Sequence, residues 1–434
     1  MNLTLPQLSD ADPTISGEGS LDPLGMAQLA DRLAESLLPG LRARMRRIRF
    51  LTASAVGALA AESLVDVLPV DRMSTPTICF EWLVLEAFAR RSGKDLPLEA
   101  SGIPGSSKVR SVLAQGKRLA ARNYLKSPNV FGFTGIYLPL ARHLQVLDED
   151  RRVAARLSDL TQAWERDRGL GGYTDGKPGT DGGRLRQHLR DEIRAALQQG
   201  HCAAPGGSHL WRLLSEALHP TQAGRAEKAL LRHWIVDDNM PMRAELARFL
   251  DQQGDSSEAD ALKSLLAGQR SLDLRLRLEA ISAYEAVAHL LGASFAQVCH
   301  LSTMLGTRPL TAADVSRDQV LNDASARLPD AMKRAAECLE RIDGELLVVF
   351  SHRLGKFEQH GSTSDLVDLL MTHHEAVQNQ KPPKGKRPWL DRHAGGWVVR
   401  SIYWQSEAAQ LVPGTLVHPY RLSALRGFMK DLAP

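Results

Sequence analysis

Apolar residues recur at three- and four-residue spacing through most of the chain, and this spacing is typical of amphipathic helices. A first helix over 26–38 ends at Pro39-Gly40. The near-continuous apolar segment 77–91 predicts a buried helix. Residues 329–357 carry one apolar seam, which predicts a single long helix with Pro329 in its first turn.

The pattern changes in two places. Residues 129–152 combine short aromatic and β-branched stretches with a helical segment, which predicts a winged-helix-like module. Residues 387–404 predict a small β-hairpin around Gly395-Gly396, followed by a last helix over 420–432. The sequence therefore predicts a mainly α fold: a multidomain helical protein with a winged-helix-like module and a small C-terminal β-hairpin.

Breaks in the helical pattern predict five segments. They are an irregular leader (1–24), an N-terminal helical domain that includes the winged-helix-like part (25–168), a glycine-rich linker (169–184), a middle helical domain (185–325) and a C-terminal helical domain with a basic-aromatic hairpin (326–434).

The glycine-rich segment does not fit a nucleotide-binding loop. Such a loop needs GxxxxGK followed by Ser or Thr, between a strand and a helix. Here Lys177 is followed by Pro178, and the residues before the glycines have a helical pattern. The segment is interpreted as a flexible surface linker.

Composition narrows the class of protein. The 434 residues are 43% hydrophobic and 24% charged, which excludes wholesale disorder. Aromatic residues make up only 5%, which favours helices over a β-sandwich. The four cysteines are scattered without a CxxC pair, and this argues against a cysteine zinc site or a disulfide framework.

No targeting or spanning segment is apparent. The first 24 residues lack an apolar core, and the longest apolar run, 50–61, is about half the length of a membrane-spanning helix. We therefore expect a soluble cytoplasmic protein with no membrane partner. The net charge of +4 is mildly basic, so any phosphate-binding face depends on local clustering.

The first basic cluster lies in the segment 41–49, which the pattern predicts to begin a helix running on to about residue 65. On such a helix Arg42, Arg46 and Arg49 share one face and could lie along a phosphate backbone. The alternative is a solvated or internally paired face.

A second cluster interleaves cations with flat rings near the C-terminus, a combination that can bind a nucleic-acid backbone and stack on bases. The predicted nucleic-acid-binding residues here are Lys384, Lys386 and Arg387. Alternatively the rings pack the hairpin against the last helix, which is the expected use of Trp397 and Tyr403.

The group His373, His374 and Glu375 shows no catalytic spacing. Adjacent histidines point about 100° apart on a helix, and the HExxH motif is absent. His373 falls on an apolar stripe and is expected in the core, whereas His374 falls on the polar stripe with Gln378 and Lys381. GxSxG is also absent, so no catalytic residue, metal ligand or cofactor is predicted.

Several patches resemble an uncharacterised bacterial family found in phage-defence and restriction-like gene neighbourhoods. They are LGMAQLADRLAESLLPGLRARMRRIRF, GIPGSSKVRSVL, FGFTGIYLPLARHLQVLDED, THHEAVQNQKPPKGKRPWL and HPYRLSALRGFMKDL. Leu51-Thr52 stands where the family has an aromatic pair after the arginines. The resemblance implies antiviral or DNA-processing accessory work, and it carries over no catalytic residue.

Together these observations favour a non-catalytic nucleic-acid-binding or scaffolding component of a bacterial defence-type complex, with nucleic acid and other subunits as partners. One alternative is a protein-only scaffold that docks a partner through apolar helix faces such as 329–357. The other is a nuclease or other hydrolase whose site is assembled from residues far apart in sequence.

Overall fold

The computed structural model describes residues 22–91, 102–237, 240–254, 256–268, 270–381 and 385–433. Contacts divide the chain into two compact units. Unit 1 is formed by the described residues of 1–36 and 262–419, and unit 2 by those of 37–261 and 420–434. The boundaries of the five segments expected from the sequence differ from those of the two units, and that division stays a prediction.

The described residues form nineteen α-helices and one two-stranded sheet, so the mainly α fold with a small β-hairpin is confirmed. Helices α1 to α10 are Ala27–Leu37, Arg49–Ala61, Pro76–Arg91, Ser106–Ala114, Pro128–Phe131, Phe133–Ile136, Leu138–His143, Leu157–Arg168, Asp181–Gln199 and His209–Ala217. Helices α11 to α19 are Arg225–Arg232, Pro241–Gln252, Glu258–Ala267, Leu272–Leu305, Ala312–Val315, Gln319–Glu340, Gly344–Leu354, Thr363–Asn379 and Leu422–Asp431. The strands are β1 (Leu390–His393) and β2 (Gly396–Val399).

Unit 1 is built on the long helix α14, against which α16, α18 and β2 pack. Helix α16 begins after Asp318, whose side chain accepts the Leu321 N–H at 2.9 Å, a standard N-cap. Pro329 therefore lies inside α16 rather than in a first turn. Proline removes the hydrogen bond to the carbonyl four residues earlier, and His360 Nε2 lies 3.0 Å from that Ser325 oxygen.

The prediction of one helix over 329–357 is wrong. The chain breaks after α16, and α17 begins after Asp343, whose side chain accepts the Glu345 N–H at 2.8 Å. The seam residues Leu339, Leu346 and Phe350 are buried inside unit 1. This apolar seam belongs to a core, because α14, α16 and α17 cover one another there.

Unit 2 is built around α2, whose thirteen residues are all buried. Helices α3, α8 and α9 pack against it. The helix begins at Arg49, so the prediction of a helix from residue 41 is wrong for residues 41–48, which form turns. The small residues of α2 allow these neighbours to approach closely.

Gly57 in α2 makes such an approach to α3. A Cβ atom placed on Gly57 would overlap the Phe80 ring. We expect Gly57→Ala to lower the free energy of unfolding by about 1 to 3 kcal/mol, because overpacking outweighs the better helix propensity of alanine. Urea unfolding measures the change. Gly292→Ala in α14 is the control, since a Cβ atom on Gly292 would lie 4.0 Å from its neighbour Met26 Cε. A Gly57 variant as stable as this control would contradict the packing argument.

The stretch 129–152 differs from its prediction. Residues 128–143 form three short helices, α5 to α7. A single bridge, Leu147 to Val153, is the only β-pairing in this part of the described chain. The short strands expected for a winged-helix-like module are therefore replaced by short helices.

The glycine-rich segment lies inside unit 2. Residues 169–180 form turns, and Tyr173 in their middle is fully buried, with its hydroxyl donating to the Val56 carbonyl at 2.8 Å. Gly182 and Gly183 let the start of α9 lie directly against the carbonyls of Leu170 and Lys177. The glycines thus serve close packing as well as turning.

The hairpin is present as predicted. Strands β1 and β2 pair antiparallel, with His393 opposite Gly396, and Ala394 and Gly395 turn the chain at φ of 46° and 79°. No helix in the described ranges has both the length and the apolar character needed to cross a membrane.

Candidate nucleic-acid interface

The arginine-rich segment 41–48 of unit 2 is an ordered turn rather than a helix. Its buried apolar side chains are Leu41, Met45 and Ile48. The hydroxyl of fully buried Tyr137 accepts the N–H groups of Arg46 at 3.1 Å and Arg47 at 3.0 Å. This bond satisfies two amides that a helix would otherwise have paired.

Asp431 fixes the end of the same turn. Its carboxylate accepts the Ile48 N–H at 3.2 Å and pairs with Arg47 Nη1 at 2.6 Å. Burial raises the pKa of Asp431, and the adjacent Arg47 guanidinium opposes that rise. The charge of Arg47 is therefore paired with an acid inside unit 2.

Arg49 has an internal role as well. It is 1% exposed, and Nη2 lies 3.2 Å from Glu227 Oε2. Its guanidinium also donates to the carbonyls of Ala217 at 2.9 Å, His219 at 2.8 Å and Gln222. Burial lowers the pKa of Arg49 to about 10, against the opposing effect of Glu227. Arg49 does not share an open face with Arg42 and Arg46.

The other arginines of the turn are more accessible. Arg42 is half-buried and donates to the Leu41 carbonyl at 2.9 Å. Arg44 and Arg46 are exposed, and within the described chain neither has an acidic partner. Arg44 lies over the ring of Phe131, 4.6 Å from its centroid. Arg44, which was not among the predicted binding residues, is thus better placed for a ligand than Arg49.

A second source of positive charge is a stretch with no acidic residue. Residues 102–147 contain no Asp or Glu, and this run is visible in the sequence although periodicity alone does not reveal it. Its cations are Lys108, Arg110, Lys117, Arg118, Arg122, Lys126 and Arg142. Such a run produces a local positive field even in a chain of low net charge.

Two buried glutamates of α3 anchor this stretch. Glu86 accepts the Leu119 N–H at 2.9 Å and pairs with Arg118 at 2.9 Å. Glu81 accepts the hydroxyl of Tyr124 at 2.5 Å and that of Thr134 at 2.6 Å. Burial raises the pKa of Glu81. Arg118 is thereby neutralised, whereas the cations that point outward are not.

Three of the outward cations of this stretch are Lys108, Arg122 and Lys126. All three are exposed, and none has an acidic partner in the described part of the chain. Two glycines show how closely these segments lie to the arginine turn and to each other. A Cβ on Gly102 would lie 2.7 Å from Arg46 Cβ, and one on Gly105 would lie 3.2 Å from the Tyr124 hydroxyl.

The predicted C-terminal cluster belongs to unit 1. Lys384 lies outside the described residues. Lys386 is half-buried, and its N–H donates to the Gln378 carbonyl at 2.9 Å. Arg387 is exposed and pairs with Asp391 at 2.7 Å. The structure therefore places an acid beside Arg387, the more accessible of the two predicted cations that it describes.

The aromatic residues of this cluster mostly pack on one another. Trp389 and Tyr403 stack with centroids 4.3 Å apart and an interplanar angle of 4°, and Trp397 is buried. Trp397 pairs with Leu310 through its backbone, and its expected packing against the last helix stays a prediction. Trp404 is 58% exposed, so it is the ring of this cluster most open to a ligand.

Both histidines of α18 are buried in unit 1. The burial of His373 is confirmed, and its Nε2 donates to the Leu24 carbonyl at 2.8 Å. The prediction of a polar face for His374 is wrong, since it is 1% exposed. Its Nε2 accepts the Trp389 N–H at 2.9 Å, so Nδ1 carries the hydrogen and donates to the Pro23 carbonyl at 2.9 Å.

The described residues contain no group of three or more His, Cys, Asp or Glu side chains that could hold a metal ion.

Comparisons with protein-family models, with curated proteins and with solved structures find no match to this chain.

Proposed function

We propose that unit 2 binds the phosphate backbone of a nucleic acid, without catalysis, through Arg44, Arg46, Lys108, Arg122 and Lys126, with Arg42 at its edge. These residues are called the basic surface below. The observation that carries the proposal is that its five exposed cations have no acidic partner among the described residues. A cation that is already paired with a carboxylate would have to give up that pair to bind a phosphate.

The chemistry of these side chains suits a phosphate chain. Each guanidinium or ammonium group can form charge-assisted hydrogen bonds to phosphate oxygens, and each contact releases counterions from the nucleic acid. The turn that carries Arg44 and Arg46 is fixed by Tyr137 and Asp431, so little ordering is needed on binding. Contacts of this kind position a protein on a backbone and read no sequence.

Charge reversal tests the basic surface. We expect Arg44→Glu/Arg46→Glu and Lys108→Glu/Lys126→Glu each to weaken binding of a fluorescein-labelled duplex by about tenfold or more, and to reduce the salt slope of log Kd by about 2. Fluorescence anisotropy between about 50 and 200 mM salt measures both quantities.

The matched control is Arg184→Glu/Arg194→Glu. These exposed arginines of α9 lie in the same unit, pair with Asp181 and Asp191, and give the same change in net charge. If the control weakened duplex binding equally, the effect would depend on net charge alone and not on the basic surface. Absence of parent binding at the lowest salt would refute the proposal outright.

The two alternatives receive less support. The scaffold reading depends on the apolar face 329–357, which is packed within unit 1. The hydrolase reading depends on an assembled cluster of acids and histidines, and no observation on the described chain favours one. Membership of a defence-type complex stays a hypothesis that depends on the resemblance of the sequence patches.

A further inference from the structure

The Arg44 side chain of the basic surface lies against an aromatic ring. Its guanidinium carbon is 4.6 Å from the centroid of the Phe131 ring. Arg44 is exposed and Phe131 is half-buried, so the ring supports one side of the guanidinium while the side chain stays open to solvent. A guanidinium held in this way has fewer orientations than a free one, and it keeps its charge and its planar shape.

The short helix α5 holds the ring in place. The Ser127 carbonyl accepts the N–H groups of Val130 and Phe131, each at 3.0 Å. The next residue, Gly132, lies directly against buried Glu81, where a Cβ atom would overlap the carboxylate. The backbone on both sides of the ring is therefore fixed, and the ring can serve as a preformed support.

Another ring of unit 2 contacts arginines whose charges are already paired. The guanidinium carbons of Arg90 and Arg118 lie 5.1 and 5.6 Å from the centroid of the Trp211 ring. Both arginines also pair with Glu86, so their charge is satisfied internally. Arg44 differs because the described residues give it a ring and no acidic partner.

The surroundings of Phe131 suit a nucleotide better than a phosphate alone. Val130, the preceding residue of α5, is 58% exposed and presents apolar surface that a phosphate does not use. Lys126 is also exposed, and it precedes α5 by two residues. The stretch 102–147, which carries all three residues, contains no Asp or Glu. A supported planar cation, an apolar side chain and an ammonium group thus occur together.

Unpaired bases stack on guanidinium planes as well as on aromatic rings, and such stacking tolerates any base. In a duplex the faces of a base are covered by its neighbours. We infer that the basic surface takes an unpaired strand of nucleic acid, with one base stacked on Arg44 above Phe131 and neighbouring phosphates at Arg46 and Lys126. The inference rests on the proposed function, keeps its backbone contacts and adds a base contact. A DNA strand and an RNA strand share this chemistry.

Fluorescence anisotropy on the full chain tests the stack with labelled probes about 15 nucleotides long. The probes are a thymidine strand, a uridine strand, an abasic strand with the same number of phosphates, and a duplex. We expect the better of the two strands with bases to bind about tenfold more tightly than the abasic strand at the same salt, because only a base can stack. Which of the two binds more tightly distinguishes DNA from RNA.

Two variants locate the stacked base. Arg44→Lys keeps the charge and removes the guanidinium plane, so we expect the abasic-to-intact ratio of Kd to fall from about tenfold to about twofold or less. Phe131→Leu removes the support and is expected to lower the same ratio by about two- to fivefold. Arg184→Lys is the matched control, an exposed arginine of α9 that pairs with Asp181, and it is expected to leave the ratio unchanged.

The two proposals fail in different ways. A ratio near one in the parent protein, or the same ratio in the Arg44→Lys and parent proteins, would overturn base stacking even if the duplex binds and the proposed function stands. If none of the probes, the duplex included, binds at the lowest salt, the proposed function itself is refuted.

Discussion

Glu227→Gln is expected to lower the free energy of unfolding of unit 2 by about 3 to 5 kcal/mol, since it leaves the buried charge of Arg49 without its counterion. Both side chains of the pair are at most 1% exposed. The Thr52 hydroxyl donates to Glu227 Oε1 at 2.6 Å and holds the carboxylate toward Arg49. Water cannot replace the lost charge at this depth.

The measurement is urea unfolding followed by pulsed hydrogen exchange on peptides of α2 and α11, which carry the two partners. Arg194→Ala is the control, because the Arg194–Asp191 pair is about half-exposed and such pairs contribute between about 0 and 1 kcal/mol. A Glu227→Gln protein as stable as the Arg194→Ala protein would show that Arg49 is adequately held by its carbonyl partners alone.

Acid is expected to destabilise unit 1 through His373 and His374. Burial lowers the pKa of each from 6.5 to about 4. Between these values the unfolded chain binds protons that the folded unit excludes, so the free energy of unfolding falls as the pH drops from about 6.5 to about 4. The loss is about 3 kcal/mol for each histidine, and it is complete below the folded pKa.

The geometry explains why protonation is resisted. His374 Nε2 uses its lone pair to accept the Trp389 N–H, and a proton there would displace that bond. The neighbouring His373 adds a repulsion that further lowers the pKa of His374.

Hydrogen exchange of α18 peptides across this pH range, corrected for intrinsic rates, measures the effect. We expect His374→Gln to reduce the pH slope by about 1.4 kcal/mol per pH unit, the value for one proton. We expect His393→Gln, at the exposed end of β1, to leave the slope unchanged. A parent slope near zero, or equal slopes in the parent and the His374→Gln protein, would contradict the argument.

The candidate interface shows how local a sequence argument is. The charges of Arg42, Arg44 and Arg46 and the acid-free run 102–147 are written in the sequence. The sequence does not reveal that Arg47 pairs with Asp431 or that Arg49 pairs with Glu227, because these partners are 384 and 178 positions away along the chain. A helix through 41–48 was a reasonable expectation from spacing, but Tyr137 and Asp431 satisfy the amides of a turn instead.

The sequence by itself determined the helical class, the β-hairpin at Gly395-Gly396 and the burial of His373, since these depend on local periodicity and turn residues. Only the tertiary structure decided that Pro329 lies within α16, that His374 is buried, and which arginines remain unpaired. Periodicity predicts which side of a helix is apolar. Ion pairing and the burial of polar groups depend instead on which distant segment of the chain packs against that helix.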